Sequence, residues 1–199
     1  MRPPEAFQHH PLFCVVWVAT YVLCMAPEIV LSSTLNSGED AQKHDRGSKL
    51  VVIVAANLAV VLGFVTAIAF PAFSFGERWK AVFIAGIAVW VGGTLFRWYA
   101  IRALGRFFTY DVAISKNQYV VSSGPYRWLR HPSYFGSLLA EVGFGMTLTN
   151  SLAILVPPLC LGIAYAYRIR IEERALLQGL GQPYRDYMRR TWRLIPFLF

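Results

Sequence analysis

Long blocks of apolar residues dominate this chain and favour a fold built from membrane helices. The blocks run from Leu12 to about Ser33, from Leu50 to Phe70, from Ala81 to Ile101 and from Tyr134 to Tyr167. A helix needs about 20 apolar residues to cross a bilayer, and each block reaches that length. With 56% hydrophobic and 15% charged residues, the 199-residue chain is also too apolar to be intrinsically disordered.

The last block is long enough for two short spans. The polar pair Asn150-Ser151 divides it into halves of about 17 residues, close to the lower limit for a span. Pro157-Pro158 would bend the second half, which a packed helix bundle tolerates. The sequence therefore predicts an all-α integral membrane protein with about five transmembrane helices, the last two forming a helical hairpin.

The positive charges predict how the helices are oriented. Of the 19 Lys and Arg residues, 15 lie in the connectors 34–49 and 102–132 and in the tail from residue 168 onward. Cytosolic segments are enriched in Lys and Arg, so we expect these segments and the carboxyl terminus to be cytosolic. This distribution explains the net charge of +8 without a nucleic-acid partner. The three cysteines have no metal-ligand spacing, and we predict no metal site.

The first unusual cytosolic stretch runs from Gln118 to Gly136. Gly124-Pro125 predicts a turn, and Pro132 suits the first position of the fourth helix, where its missing N–H costs nothing. His131 and Ser133 then lie at a helix amino terminus, where free N–H groups and the helix dipole favour an anionic group. A plain turn with a helix cap is the alternative interpretation.

The second unusual stretch continues the fifth helix out of the membrane. Tyr165, Arg168, Glu172 and Leu176 recur at three- and four-residue steps and share one helix face. Arg168 and Glu172 are suited to hold oppositely charged groups of one zwitterionic ligand, or alternatively to pair with each other. Beyond them we expect a short helix carrying Tyr184 and Tyr187, then a basic, aromatic end at the lipid headgroups.

From about Leu104 to Phe199 the order of these motifs resembles the isoprenylcysteine carboxyl methyltransferase (ICMT) family, in particular its short prokaryotic members. Phospholipid N-methyltransferases are more distant relatives. The resemblance implies one membrane domain over 1–199, with three amino-terminal transmembrane helices in 1–103 and the catalytic region in 104–199. The matching motifs are Gly-Pro-Tyr126, Arg130-His-Pro-Ser-Tyr134-x-Gly136, Arg168, Glu172-Glu173, Gly181-x-x-Tyr184-x-x-Tyr187 and Arg193-Leu-Ile-Pro196.

The resemblance implies that the chain binds S-adenosyl-L-methionine in a pocket at the cytosolic ends of the last two helices, formed with the cytosolic loop and the carboxyl-terminal tail. Members of the family transfer its methyl group to a lipid-borne acceptor that enters from the bilayer. By this resemblance, Arg168 would pair with the acceptor's carboxylate, and Glu172 would hold a cationic or hydroxyl part of the cofactor. The remaining cofactor contacts would come from Gln118, Tyr119, Val120 and Val121 through their backbone, and from Tyr126, His131, Pro132, Ser133 and Tyr134.

The acceptor group decides what further chemistry the site needs. A carboxylate is ionised at pH 7 and requires no general base. An amine or thiol would need a proton removed, by His131, Glu172 or Glu173. The sequence leaves open the acceptor, the oligomeric state and the roles of Asp111 and Glu141. It also leaves open whether the membrane is a bacterial inner membrane or the endoplasmic reticulum.

Three other functions fit parts of the pattern. A phospholipid or amine N-methyltransferase would share the cofactor site. A nicotinamide-dependent membrane reductase of the sterol-reductase type shares the Arg-His-Pro motif and a final Arg-x-Ile-Pro motif, but Arg168 with Glu172-Glu173 favours a methyltransferase. A non-enzymatic transport or scaffold protein is disfavoured, because the polar residues gather at one mouth and not along a path through the membrane.

Overall fold

The computed structural model describes residues 4–9, 11–34, 42–114 and 117–196, and in these ranges the chain is almost entirely helical. One small antiparallel sheet joins β1 (Gln42–Lys43) to β2 (Ala113–Ile114), with Gln42 opposite Ile114. Short 3-10 turns occupy parts of the connectors. The helices are α1 (Glu5–His9), α2 (Pro11–Thr34), α3 (Ser48–Ala69), α4 (Trp79–Leu104), α5 (Pro132–Thr147), α6 (Ser151–Leu180) and α7 (Gln182–Met188).

Four helices in the described ranges are long and apolar enough to cross a membrane. They are α2, α3, α4 and α6. This confirms a helical membrane fold, with four such helices where the sequence predicted five. The predicted fourth span corresponds to α5, which has only 16 residues. At 1.5 Å per residue it rises about 24 Å, less than the roughly 30 Å of a hydrocarbon core.

Asn150 sets the start of α6 and the turn that precedes it. Its side-chain oxygen accepts hydrogen bonds from the backbone N–H groups of Leu152 (3.0 Å) and Ala153 (3.2 Å), as a helix cap does. Its side-chain nitrogen donates to the carbonyl of Phe70, 2.8 Å away, which ties the turn to the end of α3. The connection between α5 and α6 is therefore only residues 148–150, and the two helices pack against each other as a hairpin.

Glycines let α4 and α5 approach backbone to backbone. A Cβ atom at Gly93 would lie 2.5 Å from the backbone nitrogen of Ala140. A Cβ atom at Gly136 would lie 2.8 Å from the backbone nitrogen of Arg97, whereas one at Gly92 would meet no atom within 4 Å. Gly93 thus faces the helix interface, and Gly92 faces open space. This contact fixes the start of α5 against the end of α4.

We expect Gly93→Ala to lower the free energy of unfolding by about 3 kcal/mol, because the added methyl group meets backbone that has nowhere to move. Gly92→Ala is the matched control, and it should be neutral or slightly stabilising because alanine favours helix. The apparent unfolding temperature of the two variants in detergent measures the difference. Equal unfolding temperatures would show that the two helices are not held this closely.

A polar network joins α2 to the segment that follows α4. Arg97 donates from Nε to Glu28 Oε1 (2.8 Å) and from Nη2 to Glu28 Oε2 (2.9 Å). Trp98 and Tyr110 donate to the same carboxylate, at 3.2 and 2.7 Å. Four hydrogen bonds satisfy both carboxylate oxygens of Glu28, as a charge buried among helices requires. The network fixes the position of Tyr110 and therefore of residues 109–114.

Candidate active site

One cavity gathers nearly all of the residues that the sequence analysis selected. It lies beside the first turn of α5 and the last turns of α6 and spans about 820 Å³, a volume that includes open solvent at its mouth. Residues 107–109 and 111–114, the stretch 118–121 and helix α7 complete its wall. The predicted site residues in this wall are Gln118, Tyr119, Val120, Val121, Tyr126, His131, Ser133, Tyr134, Arg168 and Glu172.

Pro132 is the predicted cofactor contact that does not line this cavity. It is fully buried and is the first residue of α5, the position that the sequence predicts for it. The backbone carbonyl of His131 accepts hydrogen bonds from the N–H groups of Tyr134 (3.2 Å) and Phe135 (3.1 Å). Pro132 therefore shapes the helix start that presents His131, Ser133 and Tyr134 to the cavity.

The hydroxyl of Tyr134 lies between Arg168 and Glu172. It accepts a hydrogen bond from Arg168 Nε at 2.8 Å and donates one to Glu172 Oε2 at 2.8 Å. Its ring stacks between Tyr165, with centroids 4.4 Å apart, and His131, with centroids 5.6 Å apart. Tyr134 thus joins the predicted cation and the predicted anion of the site while its ring is held rigidly.

Among the described residues, Arg168 pairs with Asp45 and not with Glu172. Its Nη1 atom lies 3.1 Å from Asp45 Oδ1 and 3.1 Å from Ser48 Oγ, and its Nη2 atom donates to the carbonyl of Tyr110 at 2.6 Å. The whole residue is only 5% exposed. The alternative that Arg168 and Glu172 form an i,i+4 ion pair is therefore not what the structure shows, and Glu172 is left facing the cavity.

The two adjacent glutamates lie in different surroundings. Glu172 has a side chain that is 29% exposed, and His131 Nδ1 lies 3.6 Å from its Oε2 atom. Glu173 is buried, outside the cavity wall, and pairs with Arg130 Nε (3.1 Å) and Arg193 Nη2 (3.0 Å). Glu172 is therefore available to a ligand, whereas Glu173 holds the carboxyl-terminal tail against the start of α5.

Helix α7 closes one side of the cavity with two buried tyrosines, Tyr184 and Tyr187. The Tyr187 hydroxyl donates to the carbonyl of Tyr126 at 2.6 Å and lies 3.1 Å from the carbonyl of Leu129. Burial raises the pKa of Tyr126, Tyr184 and Tyr187, so all three hydroxyls stay protonated at neutral pH. The tail is thereby fixed to the turn that starts at Gly124.

Three residues that hold Arg168 were not predicted from the sequence, namely Asp45, Ser48 and Tyr110. They lie far from Arg168 in sequence and belong to no recognisable motif. Asp111, whose role the sequence left open, lines the cavity 3.4 Å from Lys49 Nζ. Glu141 does not line the cavity, and its Oε2 atom is buried with no hydrogen-bond partner among the described residues.

Known proteins resemble this chain in the same region. The sequence profile of the isoprenylcysteine carboxyl methyltransferase (ICMT) family matches residues 86–178, which contain α5, the Arg168 turn of α6 and the stretch between α4 and α5. The structure also resembles the solved structure of the eukaryotic intramembrane Ras methyltransferase ICMT, with a TM-score of 0.60 and 33% sequence identity. That similarity covers 73% of this chain and 52% of the solved chain.

Two curated relatives show how far the similarity extends. The probable protein-S-isoprenylcysteine O-methyltransferase of Oryza sativa subsp. indica is 26% identical over 185 residues, which cover 92% of this chain and 95% of the relative. The protein-S-isoprenylcysteine O-methyltransferase of Tribolium castaneum is 36% identical over 115 residues, which cover 57% of this chain and 41% of the relative. The chain thus spans nearly all of the rice protein but less than half of the beetle protein. Profile, relatives and solved structure agree in that each matches this chain to the isoprenylcysteine carboxyl methyltransferase family.

Proposed function

We propose that this methyltransferase transfers a methyl group from S-adenosylmethionine to the carboxylate of a lipophilic acceptor that reaches the site from the bilayer. The observation that carries the proposal is the Arg168–Tyr134–Glu172 chain, which places a buried cation and an accessible anion at one cavity. The similarity to the isoprenylcysteine carboxyl methyltransferase family agrees with a methyltransferase. Neither a transport protein nor a scaffold requires such an arrangement.

The residues of the cavity fit S-adenosylmethionine, which supplies a methyl group on a positively charged sulfonium. Glu172 offers an accessible carboxylate to an ammonium group or a ribose hydroxyl. Tyr119 and Tyr126 offer aromatic surface, and Phe107 packs edge-on against Tyr119 with centroids 4.9 Å apart. Gln118, Val120 and Val121 line the cavity in an irregular stretch between β2 and α5, from which backbone N–H and C=O groups can reach a bound molecule.

Arg168 is the residue that we assign to the acceptor. A carboxylate acceptor is already ionised at pH 7, so the site has to orient it and does not have to remove a proton. Alignment of two held reactants accounts for about 7–11 kcal/mol of a barrier in well-oriented systems. The rigid setting of Arg168, held by Tyr134, Asp45 and Tyr110, suits this role.

We further propose that α5 and α6 cross the membrane together, giving five spans with the carboxyl terminus in the cytosol. The short α5 would be accommodated by local thinning of the bilayer or by flanking side chains. The catalytic region 104–199 would then face the cytosol at its polar end, in a bacterial inner membrane or the endoplasmic reticulum. Among the basic residues that bear on this orientation, Arg2, Lys116 and the side chain of Lys43 lie outside the described residues.

Calorimetry in detergent with S-adenosylhomocysteine tests the cofactor assignment. We expect the wild-type protein to bind it and Glu172→Ala to lose most of that binding, because Asp111, the other carboxylate in the described wall, is paired with Lys49. Asp186→Ala, at an exposed residue of α7 outside the cavity, is the control and should bind normally. Binding of a nicotinamide cofactor without binding of S-adenosylhomocysteine would favour the reductase and refute the proposal.

Tyr134→Phe should lower kcat/KM about tenfold without unfolding the protein. The variant keeps both ring stacks but removes the hydroxyl that bridges Arg168 and Glu172, which leaves Arg168 Nε without its acceptor. An unsatisfied buried donor costs about 1–3 kcal/mol. Initial rates of methyl transfer with labelled S-adenosylmethionine provide the measurement. A Tyr134→Phe protein with wild-type kcat/KM would show that the bridge has no part in catalysis.

A further inference from the structure

We propose that Asp45 is a positioning residue that fixes the guanidinium of Arg168 for the acceptor, a role that rests on the methyl-transfer function proposed above. Asp45 lies in the loop between β1 and α3, about 120 residues before Arg168 and outside the matched family region. Its carboxylate contacts Arg168 Nη1 at 3.1 Å. The loop thus contributes to a site whose other recognised residues follow α4.

The hydrogen bonds of Arg168 explain why its position depends on this loop. A guanidinium has five N–H groups. The described residues accept four of them: Tyr134 from Nε, Asp45 and Ser48 from Nη1, and Tyr110 from Nη2. Among the described residues, none accepts the second N–H of Nη2, so this group remains for a ligand. The planar guanidinium is thus held at Nε and at both Nη atoms. The carboxylate of the acceptor would meet the one remaining N–H from a fixed direction.

Asp45 is itself held by several donors. Its Oδ1 atom accepts from Ser48 Oγ (2.9 Å) and from the backbone N–H of Val112 (3.3 Å), and its Oδ2 atom accepts from the backbone N–H of Lys49 (3.1 Å). The turn after Asp45 leads into α3 through Arg46 (φ 48°) and Gly47 (φ 77°), both left-handed. Burial alone would raise the pKa of Asp45, but these hydrogen bonds and Arg168 lower it, so the side chain stays charged.

The Oδ1 atom of Asp45 joins Arg168 to the wall of the cavity. Oδ1 contacts Arg168 on one side and Val112, a cavity-lining residue, on the other. The backbone N–H of His44 donates to the carbonyl of Val112 at 2.7 Å, and β1 pairs with β2 beside it. An ordinary surface ion pair has no such connections. The arrangement is suited to keep Arg168 in register with the cofactor wall.

The first arm of the test follows Arg168 directly and needs no enzyme activity. In protein labelled with 15N-arginine, the Nη signals of Arg168 should be separate and slowly exchanging, because each Nη group is hydrogen-bonded. Arg168→Lys removes these signals and so assigns them. In Asp45→Ala they should merge or exchange rapidly. Unchanged Arg168 signals in Asp45→Ala would overturn the proposal.

The second arm asks whether Asp45 acts through Arg168. In the wild-type background, Asp45→Ala should lower kcat/KM for the acceptor at least tenfold. In the Arg168→Lys background the same substitution should lower it less than twofold, because the effects of residues that act through one contact are not additive. The KM for S-adenosylmethionine should change less than threefold. Asp45→Asn keeps one oxygen for Arg168 and Val112 and should retain most activity. Asp186→Ala is the control for loss of an acidic side chain.

The outcomes separate this proposal from the function on which it rests. A tenfold loss in both backgrounds would assign Asp45 a general structural role, and a gain in kcat/KM for Asp45→Ala would mean that its carboxylate competes with the acceptor. Either result overturns the proposal. A wild-type protein without methyl transfer would refute the proposed function, and the 15N signals would still decide whether Asp45 fixes Arg168.

Discussion

Arg168→Lys is expected to lower kcat/KM for methyl transfer about 100-fold or more, while S-adenosylhomocysteine still binds within a few-fold of wild type. Lysine keeps the positive charge but has one compact ammonium group in place of the planar fork. It cannot contact Tyr134, Asp45, Ser48 and Tyr110 at once, so the cation moves relative to the acceptor. A misplacement of about 1 Å is enough for a 100-fold loss.

The measurement compares turnover with cofactor binding in the same detergent preparation. Arg170→Lys is the matched control, because Arg170 is an exposed arginine on the same helix and outside the cavity. It should behave as wild type in both assays. Retention of full turnover by Arg168→Lys would exclude a role for the fork in orienting the acceptor. Loss of both turnover and cofactor binding would mean that Arg168 acts mainly by holding the cavity wall.

Glu173→Ala is expected to cause the largest loss of stability, about 3–5 kcal/mol. Glu173 is 5% exposed and faces Arg130, Arg193 and His131 Nε2, the last at 3.4 Å. Removing the carboxylate leaves two arginines and an imidazole without their common partner, in a place with little water to replace it. The tail should detach from the start of α5, and thermal or denaturant unfolding in detergent would record the change.

Asp186→Ala is the comparison for Glu173→Ala. Asp186 lies 3.7 Å from Arg189 in an exposed i,i+3 pair, with side chains that are 46% and 73% exposed. Exposed pairs of this kind contribute at most about 1 kcal/mol, so this variant should unfold close to the wild-type protein. If the two variants unfolded alike, Glu173 would not hold the tail, and its burial would need another explanation.

The fold could be predicted from the sequence to the extent that hydrophobic block length determines it. The apolar blocks from Leu50 and from Ala81 correspond to α3 and α4 within a few residues, and Asn150 is the cap that separates the last two helices. The fifth predicted span stays a prediction, because α5 has only 16 residues and is not among the four long apolar helices of the described ranges. The pairing of β1 with β2 was not predicted, since two-residue strands leave no periodic pattern.

The candidate site was predictable where its residues follow one another along the chain. The turn before Pro132 and the helix face of Arg168 and Glu172 are local patterns, and they bring these residues to one cavity. The partners of Arg168 were not predictable, because Asp45 and Ser48 reach it only through the folded loop before α3. The different surroundings of Glu172 and Glu173 were equally hidden, since adjacent residues on a helix point about 100° apart. The individual roles in binding and catalysis remain predictions.

Methyl transfer from labelled S-adenosylmethionine to a membrane lipid extract tests the central claim most directly. The purified protein should label a lipophilic product, and mild base should release the label as methanol, because a carboxyl methyl ester hydrolyses under these conditions. Arg168→Lys should give little label in the same assay. Label that resists base would instead indicate transfer to nitrogen or sulfur. No labelled lipid with any extract, from protein shown to be folded, would contradict the account.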